Sequence, residues 1–136
     1  MRYLLDTNIF IAALKAHAAL RARLEATAAS ALVLSPVVLG ELETGIEKST
    51  RAEHNRSRLA AIVERIEIVP IDGAVSGVYA RIRADLERKG TPIGANDLWI
   101  AAQALSIGAT LVTDNVSEFS RVAGLHFENW IESDTA

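Results

Sequence analysis

The stretch Tyr3-Leu4-Leu5-Asp6-Thr7-Asn8-Ile9-Phe10 decides how the chain is read. A short apolar run meets an acid, two small polar residues follow, and a helical pattern begins. Periodicity alone does not separate so short a run from a buried helix, but the polar punctuation after it favours a buried strand. Asp6 then stands at the strand's carboxyl end, with Thr7 or Asn8 capping the next helix. Ligands of open α/β sheets bind beyond the carboxyl ends of strands, where the strand order reverses. Asp6 is therefore a site residue or a helix cap in its own right, and this stretch leaves both open.

Working outward, the same grammar recurs. Ala31-Leu32-Val33-Leu34 is a β-rich run that ends at Ser35-Pro36, a good N-cap followed by a proline suited to the first helical position. Glu67-Ile68-Val69-Pro70-Ile71 is strand-like. Ala109-Thr110-Leu111-Val112 ends at Thr113-Asp114-Asn115, repeating the opening pattern. His126-Phe127-Glu128 reads as a last edge strand, with Trp130 packing over the rim.

Helices are expected between these runs, over Asn8 to Leu14 and Ala18 to Ala28. Another starts at Pro36, with Val37, Val38, Leu42 and Ile46 at helical spacing. Leu59, Ile62, Val63 and Ile66 continue a stripe. Asp72 caps a long helix that Gly90 ends, and an alanine-rich helix runs from Asp97 to Ile107-Gly108. Glu118-Phe119 looks like a short helical turn. The alternation predicts an α/β fold, a parallel sheet with helices on both faces, whose first and fourth strands lie side by side at the switch point.

The 136 residues suit one domain spanning 1–136, and half of them are apolar, enough for a real core. The absence of cysteine excludes a disulfide framework, a thiolate metal site and a thiol nucleophile, and fits a reducing, cytoplasmic setting. Met1-Arg2-Tyr3-Leu4 does not read as a signal peptide. The uncharged stretch from Leu98 to Thr113 falls short of the ~20 apolar residues a spanning helix needs, so a soluble protein with no membrane partner is expected. A formal charge of −3 argues against gripping nucleic acid by bulk positive charge. The basic run Lys48 to Arg58 is either a solvated helix end or a patch that contacts phosphate.

Four acidic positions stand out against this background. Asp6 and Asp114/Asn115 end two strands expected to be neighbours. Asp97 opens the helix that leads into the second of them. Glu41 shares or borders the apolar face of its helix, where an acid is costly unless paired or bound to a cation. Singly, each reads as well as a cap or a solvated acid. Together they put three or four carboxylates at one sheet edge, where they repel unless a cation intervenes. Oxygen donors without histidine or cysteine point to Mg²⁺, with Mn²⁺ as a possible substitute. Such a metal activates water and polarises a phosphoryl group, chemistry that needs no serine nucleophile or histidine base.

Leu4-Leu5-Asp6-Thr7-Asn8-Ile9-Phe10-Ile11, Glu41-Leu42-Glu43-Thr44-Gly45-Ile46, Ile93-Gly94-Ala95-Asn96-Asp97-Leu98-Trp99-Ile100-Ala101-Ala102 and Leu111-Val112-Thr113-Asp114-Asn115-Val116-Ser117-Glu118-Phe119 resemble the successive motifs of PIN domains. Within that family the chain is most similar to the VapC toxins of type II toxin–antitoxin pairs, and its ending, Arg121 to Trp130, looks like theirs. The resemblance implies a three-layer α/β/α sandwich around a five-stranded parallel sheet in the order 3-2-1-4-5, and a Mg²⁺-dependent endoribonuclease. It makes Asp6 and Asp97 the principal metal ligands and Glu41 the third site acid. The fourth position falls on Asn115 or Asp114, and Thr7 and Thr113 would orient carboxylates or water. It further implies a homodimer, an RNA substrate and a VapB-like antitoxin whose arginine enters the acidic groove. A phosphotransfer receiver domain would want an acid pair near the first strand and a lysine after the last, and has neither. A non-catalytic PIN-like module that binds RNA or protein is the remaining alternative, against which the presence of Asp6, Glu41 and Asp97 counts.

Overall fold

The computed structural model describes residues 1–131. Strands β1 (Tyr3–Leu5), β2 (Leu32–Leu34), β3 (Glu67–Ile68), β4 (Thr110–Val112) and β5 (Phe127–Glu128) form one sheet in the order β3-β2-β1-β4-β5. Every pairing is parallel. The expected α/β class and strand order are both present. β2 and β4 are buried at every position, which requires helices on both faces of the sheet.

The helices are α1 (Thr7–Leu14), α2 (Ala18–Glu25), α3 (Pro36–Glu47), α4 (Ala52–Val63), α5 (Gly73–Arg88), α6 (Ala95–Ile107) and the single turn α7 (Val116–Phe119). Local chemistry fixes their starts. Ser35 Oγ accepts from the Val37 N–H at 3.1 Å with Pro36 at the first helical position, and Asp72 Oδ1 accepts from the Val75 N–H at 3.1 Å. Val38, Leu42 and Ile46, four apart, carry the buried face of α3. α6 is the central helix, burying Leu98, Ile100, Ala101, Ala102, Gln103 and Ala104. Its alanines let neighbouring backbones approach, and Gln103 Nε2 donates to the Val69 carbonyl at 2.6 Å, tying α6 to the end of β3.

Two expectations need correction and a third needs refinement. α1 is capped by Asp6 itself rather than by Thr7 or Asn8, because the Asp6 carboxylate accepts from the Thr7 N–H at 2.8 Å. The run at 67–71 contributes only two paired residues, since Pro70 cannot donate to a ladder. Trp130 packs more deeply than a side chain merely covering a rim, at 2% exposed. Its ring meets Tyr3 at 5.0 Å between centroids, its Nε1 donates to Glu128 Oε1 at 2.9 Å, and the Arg23 guanidinium lies 4.8 Å from its centre.

The order of strands places the switch point between β1 and β4. The ladder runs one residue beyond β1, with the Asp6 N–H donating to the Val112 carbonyl at 2.9 Å, so Asp6 and Thr113 emerge side by side at the sheet's carboxyl edge.

Two glycines separate backbone conformation from packing. Gly108 closes α6 at φ +68°, and an added Cβ would meet nothing within 4 Å. Gly40 lies exposed inside α3 with the same free space. Gly108→Ala is expected to destabilise by ~1–2 kcal/mol through left-handed strain alone, while Gly40→Ala stabilises by ~0.5–1 kcal/mol. Urea unfolding midpoints of the two variants should therefore move in opposite directions.

Candidate active site

The site grows from Asp6. Its two carboxylate oxygens are held from opposite sides: Oδ1 accepts from the Thr7 N–H at 2.8 Å, and Oδ2 accepts from the Thr113 hydroxyl at 2.7 Å. Thr113 is fully buried, and its hydroxyl oxygen in turn accepts from the Asn115 N–H at 3.0 Å. The end of β4 thus fixes the side chain at the end of β1. Asp6 is 5% exposed and has no ion-pair partner among the described residues. Burial pushes its pKa up, the Thr113 and Thr7 hydrogen bonds pull it down, and the charges of Glu41 and Asp114 add to the upward push.

α3 brings the second acid. Glu41 lies next to buried Leu42, and its Oε1 accepts from the Thr7 hydroxyl at 2.8 Å. One residue, Thr7, therefore positions two carboxylates: Asp6 through its backbone N–H and Glu41 through its side chain.

α6 brings the third. Asp97 sits in the first turn, after the Gly94 cap, which makes no side-chain hydrogen bond. Its carboxyl is pushed up to about 7 by burial, then by Glu118, with further contributions from Asp6 and Glu41. That Asp97 responds to Asp6 and Glu41, residues far apart in sequence, shows that the three acids share one electrostatic environment.

Glu118 is the fourth acid and was not anticipated as a site residue. Its Oε1 accepts from the Gly94 N–H, its Oε2 accepts from the Asn115 side-chain amide at 2.7 Å, and the Asp97 carboxyl lies close enough to act as a third donor. Burial pushes Glu118 up, but these three donors and the charge of Arg121 outweigh it and hold Glu118 below the usual glutamate value. Of the two, Asp97 is the acid that holds its proton more tightly and Glu118 the one that carries charge. The sequence carries one hint of this: Glu118 lies three residues after Asn115, on the turn next to the expected fourth position.

The two candidates for that position behave differently. Asn115 is half-buried and spends its amide on Glu118. Asp114 is exposed, with Oδ1 accepting from Asn8 Nδ2 at 3.1 Å, and adds only its charge to the surroundings of Asp6. Asp6, Glu41, Asp97, Thr7 and Thr113 come together; Asn115 reaches the group through Glu118; Asp114 stays at its margin.

The donors are hard oxygens throughout, the set that suits a small divalent cation. Among the described residues, no three acid, histidine or cysteine side chains already form a metal-holding group. An open set of one or two carboxylates is what a largely hydrated Mg²⁺ accepts, in contrast to a closed protein cage. Asp6 without a counter-ion and the raised pKa of Asp97 mark a place where positive charge would relieve repulsion.

Comparison with known proteins agrees with this geometry. Residues 3–125 match the PIN domain. The chain is 41% identical to Ribonuclease VapC2 of Rickettsia felis over 132 residues, covering 96% of this chain and 98% of that one. It is 39% identical over 131 residues to the tRNA(fMet)-specific endonuclease VapC of Shigella flexneri, with the same coverage. Among solved structures, VapBC2 from Rickettsia felis bound to a DNA fragment from their promoter superposes with a TM-score of 0.89 at 40% identity, over 96% of this chain and 99% of that one. VapBC-1 from nontypeable Haemophilus influenzae gives 0.87 at 33% identity, over 97% of this chain and all (100%) of that one. With its four acids at the β1–β4 switch point and this likeness along nearly its whole length, the chain belongs to the PIN-domain family, as a toxin-type ribonuclease of the VapC group.

Proposed function

We propose that this protein hydrolyses RNA phosphodiester bonds at the Asp6–Glu41–Asp97–Glu118 cluster with Mg²⁺ as cofactor. The observation that carries the reading is the convergence of these carboxyls, from four separate elements, with no cation neutralising Asp6, Glu41 or Asp97 among the described residues. A module that only bound RNA would gain nothing from such repulsion.

In this reading Asp6 and Asp97 would hold the metal, with Glu41 as the third site acid. When bound there, a divalent ion supplies charge neutralisation, a polarised phosphoryl oxygen and a water acidic enough to attack it. The chain's own residues do the rest. Thr113 and Thr7 freeze the Asp6 carboxylate, so its lone pairs point the same way before and after substrate arrives. Thr7 keeps Glu41 beside it. Asp97, its pKa raised by burial and by Glu118, would lose its proton more readily beside a bound cation. Asn115 and the Gly94 N–H keep Glu118 from swinging away when that proton leaves.

Transfer RNA is the proposed substrate class, since one relative is named for cleaving initiator tRNA. The solved relatives named VapBC support an antitoxin partner for this chain. An arginine from it would pair bidentately with the acids and compete with the metal. Among the described residues no helix is long and apolar enough to cross a membrane. Action on cytoplasmic RNA as a homodimer completes the proposal.

Asp97→Asn should abolish cleavage of initiator tRNA, by ~10²-fold or more, and EDTA should do the same to the unaltered protein. Equal cleavage in EDTA would defeat the metal reading. Thr113→Val removes only the orienting hydroxyl, so Mg²⁺ affinity or activity is expected to fall ~10–100-fold, as measured by titrating Mg²⁺ in the cleavage assay.

The raised Asp97 pKa also makes a stability statement. An unfolded aspartate titrates near ~3.9, whereas the folded one titrates at about 7. The folded state binds the proton more tightly, so Asp97 costs no stability below pH ~4 and costs progressively more as pH rises through about 7. Without metal, Tm should fall between pH 5 and pH 8. Asp97→Asn should flatten that fall and fold at least as well, as thermal melts in EDTA would show.

A further inference from the structure

The described residues form five Lys/Arg ion pairs: Arg2–Glu67, Arg23–Glu128, Arg56–Glu47, Arg83–Glu87 and Lys89–Asp85. Nine of the fourteen lysines and arginines belong to none of these pairs, and what sets Lys15 and Arg58 apart among the nine is their position. Both line one groove of about 300 Å³ between the end of α1 and the α3–α4 corner, and Glu41 lines the same groove. Glu41 therefore borders both the acid site and this groove.

The two cations are differently prepared. The Arg58 guanidinium donates to the Leu14 carbonyl at the end of α1. That contact holds it at the groove wall, so little further rotamer freedom is lost when an anion arrives. Lys15 caps α1 by its backbone, and its side chain is exposed. Asn55, also on the groove, commits its amide nitrogen to Ser49 Oγ at 3.3 Å, and its carbonyl oxygen has no partner among the described residues. Exposed Lys48, Arg51 and His54 extend the same corner.

A polyanion approaching four carboxyls is repelled, and fixed cations within a nucleotide or two of the site counter that repulsion. We propose that this groove holds the RNA backbone on one side of the scissile phosphodiester, with Lys15 and Arg58 each contacting a phosphate. The inference rests on the ribonuclease reading of the acid site. Charge complementarity selects the occupant: two cations without acidic partners lead away from the one place where phosphate is to be cut. The groove's aliphatic floor then carries sugars and base edges.

The test uses full-length Asp97→Asn protein in EDTA and a fluorescein-labelled single-stranded RNA pool of random sequence. Affinity is measured by anisotropy across a series of KCl concentrations. Adding Lys15→Gln, which breaks no contact, or Arg58→Gln should weaken binding. Each should reduce the slope of log K against log salt by about 0.7, the value for one phosphate contact on a single strand. Unchanged affinity and slope in the Lys15→Gln/Arg58→Gln protein overturn the proposal. So does a protein that holds RNA as tightly as its parent but no longer captures a co-expressed antitoxin, because the groove would then be a peptide site. Failure of the ribonuclease reading is seen separately, as absence of Mg²⁺-dependent cleavage by the protein with its native Asp97.

Discussion

Mutual repulsion among carboxyls at the β1–β4 edge is the constraint on which the rest of the structure depends. A buried carboxylate without a counter-ion is expensive, and this chain keeps Asp6 in that state. It does so with hydrogen-bond donors instead of cations: the Thr7 N–H and the Thr113 hydroxyl on Asp6, the Thr7 hydroxyl on Glu41, and the Gly94 N–H and Asn115 amide on Glu118. Neutral donors orient an acid without consuming its charge. A lysine or arginine in the same place would relieve the repulsion permanently and leave nothing for a divalent ion to do.

The fold makes this economical. Parallel strands with short, wholly buried segments bring their carboxyl ends to one edge, and the next helix begins at that edge. Asp6 acts both as a cap for α1 and as a member of the acid cluster, so one side chain secures the helix and furnishes the site. The two roles do not conflict. Capping uses Oδ1, toward the helix, while Oδ2 is held by the Thr113 hydroxyl. Glu118 plays a comparable part on the other side, linking the cap of α6 to the loop after β4 across 24 residues of sequence.

How much of this could be read in advance depended on how local the cause was. Strand ends, the Ser35-Pro36 and Asp72 starts and the Gly108 stop are set by neighbours in sequence, and they stand where the residues indicate. The convergence of Asp6, Glu41 and Asp97 could be argued because parallel topology leaves few ways to arrange the elements. Glu118 could not be picked out, because its role comes from Gly94 and Asp97, which only the packing of α6 against the β4–α7 loop brings near. The choice between Asp114 and Asn115 was likewise undecidable: adjacent residues on a turn point apart, and spacing does not say which faces inward. The depth of Trp130's burial was hidden for the same reason, since its cover comes from Tyr3 and Arg23 at the far end of the chain.

Sequence by itself determined the α/β class, the pairing of the first and fourth strands, the helix boundaries within a residue or two in most cases, and the identity of three acids; the full strand order came only with the family resemblance. Each of these follows from short-range patterning or from the few topologies such patterning allows. Tertiary structure alone decided which hydroxyl holds which carboxylate, that Glu118 comes beside Asp97 and raises its pKa, and that Lys15 and Arg58 line a groove with Glu41. Those facts depend on distances of a few ångströms between side chains on different elements. Hydrogen bonds and desolvation vary steeply over such distances, whereas periodicity along the chain does not register them.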